Sequence, residues 1–184
     1  AAGVVVGKIG SATATLEEIT EYKSNHALPS IDKHIKSIGE IIPISNELKL
    51  KNKKIIFTNG CFDILHLGHV KYLEAAKKFG DILIIGLNSD KSVKALKGDY
   101  RPIIQQNDRA YILASLKVVD YVVIFNEKTP YNLIKAIKPH TLVKGSDYEG
   151  EELVGQDIVF ETKLVNFVNE RSTSSIIKKI IASH

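Results

Sequence analysis

Two histidines bracket a glycine in His66-Leu67-Gly68-His69, inside the run TNGCFDILHLGHVKYL over residues 58–73. Imidazoles donate hydrogen bonds to bridging and non-bridging phosphate oxygens, and Gly68 leaves the backbone open to a ligand. The pair therefore suits phosphoryl chemistry. Two other readings stand beside it: a helix-start pair with no function, or half of a zinc site. Zinc would need more ligands, and His26, His34, His140, His184 and the single Cys61 show no metal-ligand spacing. Cys61 reads as a packing residue rather than a nucleophile, because no basic partner is readable beside it. Asp63 has two open roles: orienting the loop by accepting backbone N–H bonds, or holding Mg²⁺ directly or through water.

These residues need a strand before them and a helix after them. Lys53 to Phe57 is a short apolar run with a charged start, bounded by Asn59 and Gly60, and reads as a buried strand. Tyr72, Leu73, Ala76 and Phe79 then recur at helical spacing, with Gly80 in the place of a C-terminal cap. The histidines so fall at a helix N-terminus, where unpaired N–H groups and the positive end of the macrodipole favour an anion. A second helix start is Arg171-Ser172-Thr173-Ser174-Ser175, ahead of Ile176, Ile177, Ile180 and Ile181; its hydroxyls are either an ordinary cap or donors to a polyphosphate. Lys94, Lys97 and Arg101 form a basic cluster after the second strand, and Lys144 follows the fourth; lysines in such runs are commonly solvated.

Strands are expected at 54–58, 81–87, 121–125, 141–143 and 163–167, and helices near 69–79, 108–117, 130–137 and 174–182, with Thr129 capping the third and Pro130 at its first position. Short continuous apolar strands require a sheet covered on both faces. The fold class is α/β, a doubly wound parallel sheet that binds ligands beyond the carboxyl ends of its strands. No GxGxxG follows the first strand, so no dinucleotide is expected. Upstream, Thr15-Leu16-Glu17-Glu18 is a capping-box pattern that starts a helix to about Ser24. Residues 27–50, with Pro29, Gly39 and Pro43, read as a linker holding a short helix around Ile31 to Ile38.

Of 184 residues, 44% are hydrophobic, enough for a core, and the net charge of +4 favours anionic partners for which nucleotide phosphates suffice. Nucleic acid is not expected, since the basic runs at 49–54 and 178–179 are short and lack interleaved aromatics. No apolar run approaches the ~18 residues of a membrane span, and the start lacks a signal-peptide layout, so no membrane partner and a cytoplasmic location are expected. A single cysteine allows no internal disulfide. The lack of methionine leads to the expectation that the chain starts inside a longer gene product.

GCFDILHLGHVKYL resembles the signature of the HxGH nucleotidyltransferases. The stretch from Lys53 to Ile180 is similar to the adenylyltransferase domain of the bacterial bifunctional enzyme that makes ADP-heptose, through NSDKSVKALKG (88–98), RPI (101–103), DRAYILASLKVVDYVVIF (108–125), KTPYNLIKAIKP (128–139), LVKGSDY (142–148) and RSTSSIIKKI (171–180). Residues 1–19 resemble the end of the sugar-kinase domain that precedes it. The resemblance implies a kinase tail at 1–26, a linker at 27–50 and a Rossmann-like nucleotidyltransferase domain at 51–184. It implies ATP and D-glycero-β-D-manno-heptose 1-phosphate as substrates, with Mg²⁺ accompanying ATP and the kinase domain of the same polypeptide as a partner. His66, His69, Lys97 and Arg101 would act in catalysis, Lys97 being preferred over Lys94. Thr58, Asn59, Gly60, Phe62, Asp63, Gly68, Lys144, Arg171, Ser172, Thr173 and Ser174 would bind nucleotide and phosphates, and no metal ligand is assigned. Relatives often carry a second glycine where this chain has Ser146.

Residue chemistry alone stops at a nucleotidyltransferase acting on a small phosphorylated alcohol or sugar. A cytidylyltransferase for a polyol phosphate and a non-catalytic nucleotide-binding module remain alternatives. Every phosphate-binding candidate lies between Thr58 and Ser175, so residues 1 to about 45 are expected to be dispensable, with the apolar Gly3–Gly7 run supporting a homo-oligomer.

Overall fold

The strands are built from aliphatic runs whose successive side chains enter opposite layers. In the computed structural model, which describes residues 13–26, 30–146, 152–166 and 173–183, six strands form one parallel sheet. They are β1 (Ile35–Lys36), β2 (Ile55–Gly60), β3 (Ile82–Asn88), β4 (Tyr121–Phe125), β5 (Thr141–Gly145) and β6 (Glu161–Val165). Their order is β1-β4-β3-β2-β5-β6, each neighbouring pair being parallel.

Alternation along the strands sorts the core into two layers. Ile56, Leu83, Ile85, Val122 and Val143 enter one layer, against α3 (Leu67–Lys77) and α5 (Gln106–Ala114), which contribute Leu73, Ala76, Ala110 and Leu113. Ile55, Phe57, Ile84, Val123 and Leu142 enter the other, against α2 (Ile38–Leu50) and α6 (Tyr131–Ile137), which contribute Ile41, Leu133, Ile134 and Ile137. The doubly wound parallel sheet expected from the sequence is the observed fold. A further helix, α4 (Asp90–Lys97), follows β3, and α7 (Thr173–Ala182) is the last described helix.

The chain divides at Ser30 into two units. In the first, α1 (Leu16–His26) starts with the expected capping box: Thr15 N–H donates to the Glu18 carboxylate at 2.9 Å and Glu18 N–H to Thr15 Oγ1 at 3.2 Å. The second unit begins at Ile31, which corrects the expected linker over 27–50. Residues 31–34 are a 3₁₀ turn, not the start of a short helix, and His34 Nδ1 donates to the Asp120 carbonyl at 2.8 Å. Ile35 and Lys36 pair with β4, and α2 buries Ile41 completely. Its start is a second capping box, Ser37 with Glu40. Pro43 lies inside α2, just beyond the first turn, so its ring removes one helical bond and the buried face outweighs the loss.

Two caps differ from expectation. Lys78, in the right-handed region, caps α3, while Gly80 is a close-approach position where a Cβ would lie 2.5 Å from Ile56 Cδ1 and 2.9 Å from the Lys54 carbonyl. At α6 the N-cap is Pro130, and Thr129 provides no side-chain cap. The last strand runs over Glu161–Val165 rather than 163–167, where residue 167 lies outside the described residues.

Candidate active site

From β2 the chain moves to β3 and β4 on one side, then crosses to β5 on the other. The carboxyl ends of β2 and β5 therefore flank the switch in strand order, the place where open α/β sheets take ligands. A cavity of about 590 Å³ lies there, within the range that small-molecule sites occupy. Asn59 and Gly60 from β2 and Lys144 and Gly145 from β5 line it. Lys144, 8% exposed, spans the switch by donating from Nζ to Asn59 Oδ1.

The loop after β2 is held in an unusual backbone shape. Phe62 (φ 46°) and Ile64 (φ 50°) both adopt the left-handed region, which glycine favours and a β-branched residue strongly resists. Asp63 between them is the brace. Its Oδ2 accepts from Arg101 Nε at 2.6 Å and from Ile103 N–H at 2.9 Å, and its Oδ1 accepts from Ile104 N–H at 3.0 Å. Burial pulls the Asp63 pKa upward, but the two backbone N–H groups and Arg101 outweigh it and hold the carboxyl below its ordinary value. Of the two roles open for Asp63, the observed geometry is the loop-orienting one. Thr173 Oγ1 donates to the Asp63 carbonyl at 2.7 Å, which ties the start of α7 to the same loop.

The two histidines meet at the start of α3, with unequal roles. His66 is the N-cap of α3, its Nδ1 accepting the Gly68 N–H at 3.1 Å, so that amide serves the helix cap rather than an anion. The two imidazoles stack with centroids 3.9 Å apart, and Phe62 packs edge-on to His69 at 5.3 Å. His69 lines the cavity, and its Nδ1 is buried without a hydrogen-bond partner among the described residues. Burial, followed by the neighbouring His66 imidazole and the Lys97 ammonium, lowers its pKa to about 4. The ring is thus a neutral imidazole at neutral pH. An orphaned buried nitrogen costs free energy, and rotation about χ2 lets the ring offer its N–H to a phosphate oxygen.

Lys97, Arg101, Phe62, Asp63 and Thr173 also line the cavity. Arg101 reaches it while its Nε is spent on Asp63, so one side chain both braces the loop and charges the wall. Thr58 is a correction: it is fully buried beneath the cavity, and its hydroxyl bonds the Tyr72 hydroxyl at 2.7 Å, which in turn donates to the Val143 carbonyl. It braces β2, β5 and α3 and does not face a ligand. Ser174 is exposed, Gly68 is buried in the helix start, and Arg171 and Ser172 lie outside the described residues. The expectation that Cys61 has no basic neighbour is also corrected, because Lys97, Arg109 and Arg101 act on it; burial nevertheless dominates and pushes its thiol up.

The sequence reading missed Arg109, whose side chain is 1% exposed. It donates from Nε to the Ile104 carbonyl, from Nη1 to the Cys61 and Asn88 carbonyls, and from Nη2 to Asp90 Oδ1. It pins the loop after β2, the end of β3 and the start of α4 together. Only its place in the DRAYILASL segment pointed toward it.

No group of three or more metal-type ligands exists among the described residues. Both Asp63 oxygens accept donors from the loop and from Arg101, and the side chain is 0% exposed, so this carboxylate serves the loop and is closed to a direct Mg²⁺ ligand role. A Mg²⁺ ion accompanying a triphosphate would draw on phosphate and water oxygens rather than on these side chains, and Lys97, Arg101 and Lys144 would offset the remaining negative charge.

A family profile described as cytidylyltransferase-like matches residues 57–180. The chain belongs to the cytidylyltransferase-like family of nucleotidyltransferases. Within the family's reach, it is similar to the bifunctional protein HldE of Aliarcobacter butzleri, with 64% identity over 98% of this chain and 38% of that protein. It is also similar to the bifunctional protein HldE of Nitratiruptor, with 61% identity over 98% of this chain and 39% of that protein. The chain thus spans about two-fifths of the length of these curated relatives. Among solved structures, a lipopolysaccharide core biosynthesis protein from Thermoplasma volcanium matches at 30% identity and a TM-score of 0.54, over 65% of this chain and 99% of that one. No described helix is long and apolar enough to cross a membrane.

Proposed function

We propose that this chain is an adenylyltransferase that joins AMP from ATP to D-glycero-β-D-manno-heptose 1-phosphate, releasing pyrophosphate and ADP-heptose for lipopolysaccharide core assembly. The carrying observation is the His69 imidazole, neutral and with an unpartnered nitrogen, set in a cavity walled by Lys97, Arg101 and Lys144 at the sheet's switch point. The identity with HldE proteins across nearly the whole chain supports the choice of substrates. A sugar 1-phosphate oxygen attacks the α-phosphorus in line, the bond from that phosphorus to the bridging oxygen breaks, and pyrophosphate leaves. A phosphate monoester is already a competent nucleophile, so no strong general base is required. Positioning and charge stabilisation remain as the protein's work. His66 holds the helix start and stacks on His69, His69 donates to the phosphoryl oxygens, and Lys97, Arg101 and Lys144 offset the charge.

Residues 1–26 are read as the tail of a kinase domain of the same polypeptide, and ATP as donor agrees with a cytoplasmic site of action. A matrix of ATP and CTP against heptose, hexose and polyol phosphates, scored by pyrophosphate release, tests the reading. Release with ATP and the heptose 1-phosphate supports it. Preference for CTP with a polyol phosphate would favour the cytidylyltransferase, and no release with any pair would favour a binding module.

A further inference from the structure

Asn88 ends β3, is 2% exposed and lines the cavity on the side away from β5. The direction of its hydrogen bonds follows from chemistry. The Glu127 carbonyl can only accept, so the one hydroxyl hydrogen of Ser92 is spent there, at 2.9 Å. Ser92 Oγ must then accept from Asn88, at 2.9 Å, and in a carboxamide only Nδ2 can donate. Oδ1 is the atom left for the cavity, and no described donor meets it. The backbone is equally fixed: Arg109 Nη1 donates to the Asn88 carbonyl at 2.9 Å, and Ser89 N–H donates to the Phe125 carbonyl at 3.0 Å. An acceptor held in one orientation at a cavity wall, on a residue otherwise almost wholly buried, discriminates in favour of a ligand that brings a donor.

The cavity's layout says which ligand. The nucleotide belongs at the switch between β2 and β5, near Asn59, Gly60 and Lys144. Asn88 lies on the other side, together with Lys97 from the helix after β3 and Lys128 from the segment after β4. That half offers cations to a phosphate and one fixed acceptor to a hydroxyl. We infer that Asn88 Oδ1 accepts a hydrogen bond from one hydroxyl of the phosphorylated acceptor, making it a specificity-determining residue for that substrate. The inference rests on the nucleotidyltransferase reading above and deepens it.

The test compares the full chain with its Asn88→Ala variant, using ATP and D-glycero-β-D-manno-heptose 1-phosphate or each of its single-deoxy analogues, with pyrophosphate release as readout. The variant is expected to lose about ten-fold in kcat/KM with the parent sugar, the scale of one hydrogen bond to a buried acceptor, while KM for ATP is unchanged. With one deoxy analogue the two proteins become equal, because the donor is already absent. Ser92→Ala, which frees the carboxamide to turn, is expected to give a smaller loss erased by the same analogue, and it serves if Asn88→Ala fails to fold. An unchanged ratio across all deoxy analogues, or an equal rise in KM for ATP, overturns the inference while leaving the function standing. A wild-type chain that releases no pyrophosphate with any of these sugars overturns the functional reading, and this inference with it.

Discussion

Replacing Asp63 by asparagine keeps the shape of the side chain and removes the charge that braces the loop. Oδ2 takes two donors, Arg101 Nε at 2.6 Å and Ile103 N–H at 2.9 Å, and Oδ1 takes Ile104 N–H at 3.0 Å. An asparagine does best by turning its oxygen to the first two, which leaves its NH₂ facing the Ile104 N–H, donor against donor. The Arg101 side chain, 13% exposed, then loses its counter-ion against a carboxylate site that was 0% exposed. Stranding one partner of a buried ion pair costs about 3–5 kcal/mol, and one unsatisfied N–H costs about 1–3 kcal/mol more, less whatever the loop recovers by relaxing. The expected loss is about 4 kcal/mol, a large part of the roughly 5–15 kcal/mol that domains possess. Urea unfolding followed by circular dichroism measures it. Arg101→Leu in the same background removes the stranded cation, so the double variant should be less destabilised than the two single losses added. A loss under about 1 kcal/mol for Asp63→Asn, or strict additivity in the cycle, would refute the bracing role.

His69→Ala is expected to lower turnover by about two to three orders of magnitude, the scale of one lost transition-state donor, whereas His66→Ala loses about 1 kcal/mol of stability as an N-cap and lowers turnover by less, because it removes only the ring that holds His69 in place; a saturating pyrophosphate-release rate at the wild-type level for the His69 variant would contradict the assignment. The His69 ring should titrate near pH 4 by NMR in the unliganded chain, against 6.5 for an unperturbed imidazole, and a midpoint near 6.5 would contradict its burial. Because the folded pKa is depressed, the unfolded chain takes up that proton first, so this residue's contribution to stability is intact above about pH 6.5 and falls as pH drops toward 4. Removing residues 1–30 should leave a folded, active protein, whereas removing residues 1–48 deletes β1 and most of α2, exposes the second core layer and should abolish the cooperative unfolding transition. A folded, active chain beginning at Lys49 would refute this.

The core of the fold was legible because each buried strand is a short aliphatic run and each facing helix carries its apolar stripe; β4 falls at Tyr121–Phe125, as read. The segment 31–50 was misread because Gly39 and Pro43 suggested a break, although Ser37-Ile38-Gly39-Glu40 carried a capping-box signal as clear as the one at Thr15. Ser89 also caps α4, its hydroxyl accepting the Ser92 N–H, yet Lys94 and Lys97 read only as a basic cluster and no helix was expected there. At the site, the spacing of His66, Gly68 and His69 identified the place but not the division of labour between the imidazoles, which depends on burial. Thr58 was assigned to ligand because it adjoins the motif, and only the side-chain direction in β2 shows that it faces Tyr72. Arg109 was invisible because its partners, the carbonyls of Cys61, Asn88 and Ile104 and the Asp90 carboxylate, converge on it only through the fold.

The most direct test of the central claim is a ³¹P NMR time course of the chain with ATP and D-glycero-β-D-manno-heptose 1-phosphate. The account predicts that the sugar monophosphate signal is replaced by the paired resonances of a nucleotide diphosphate sugar, in step with one equivalent of pyrophosphate. Persistence of both substrates, or conversion only when CTP replaces ATP, would contradict it.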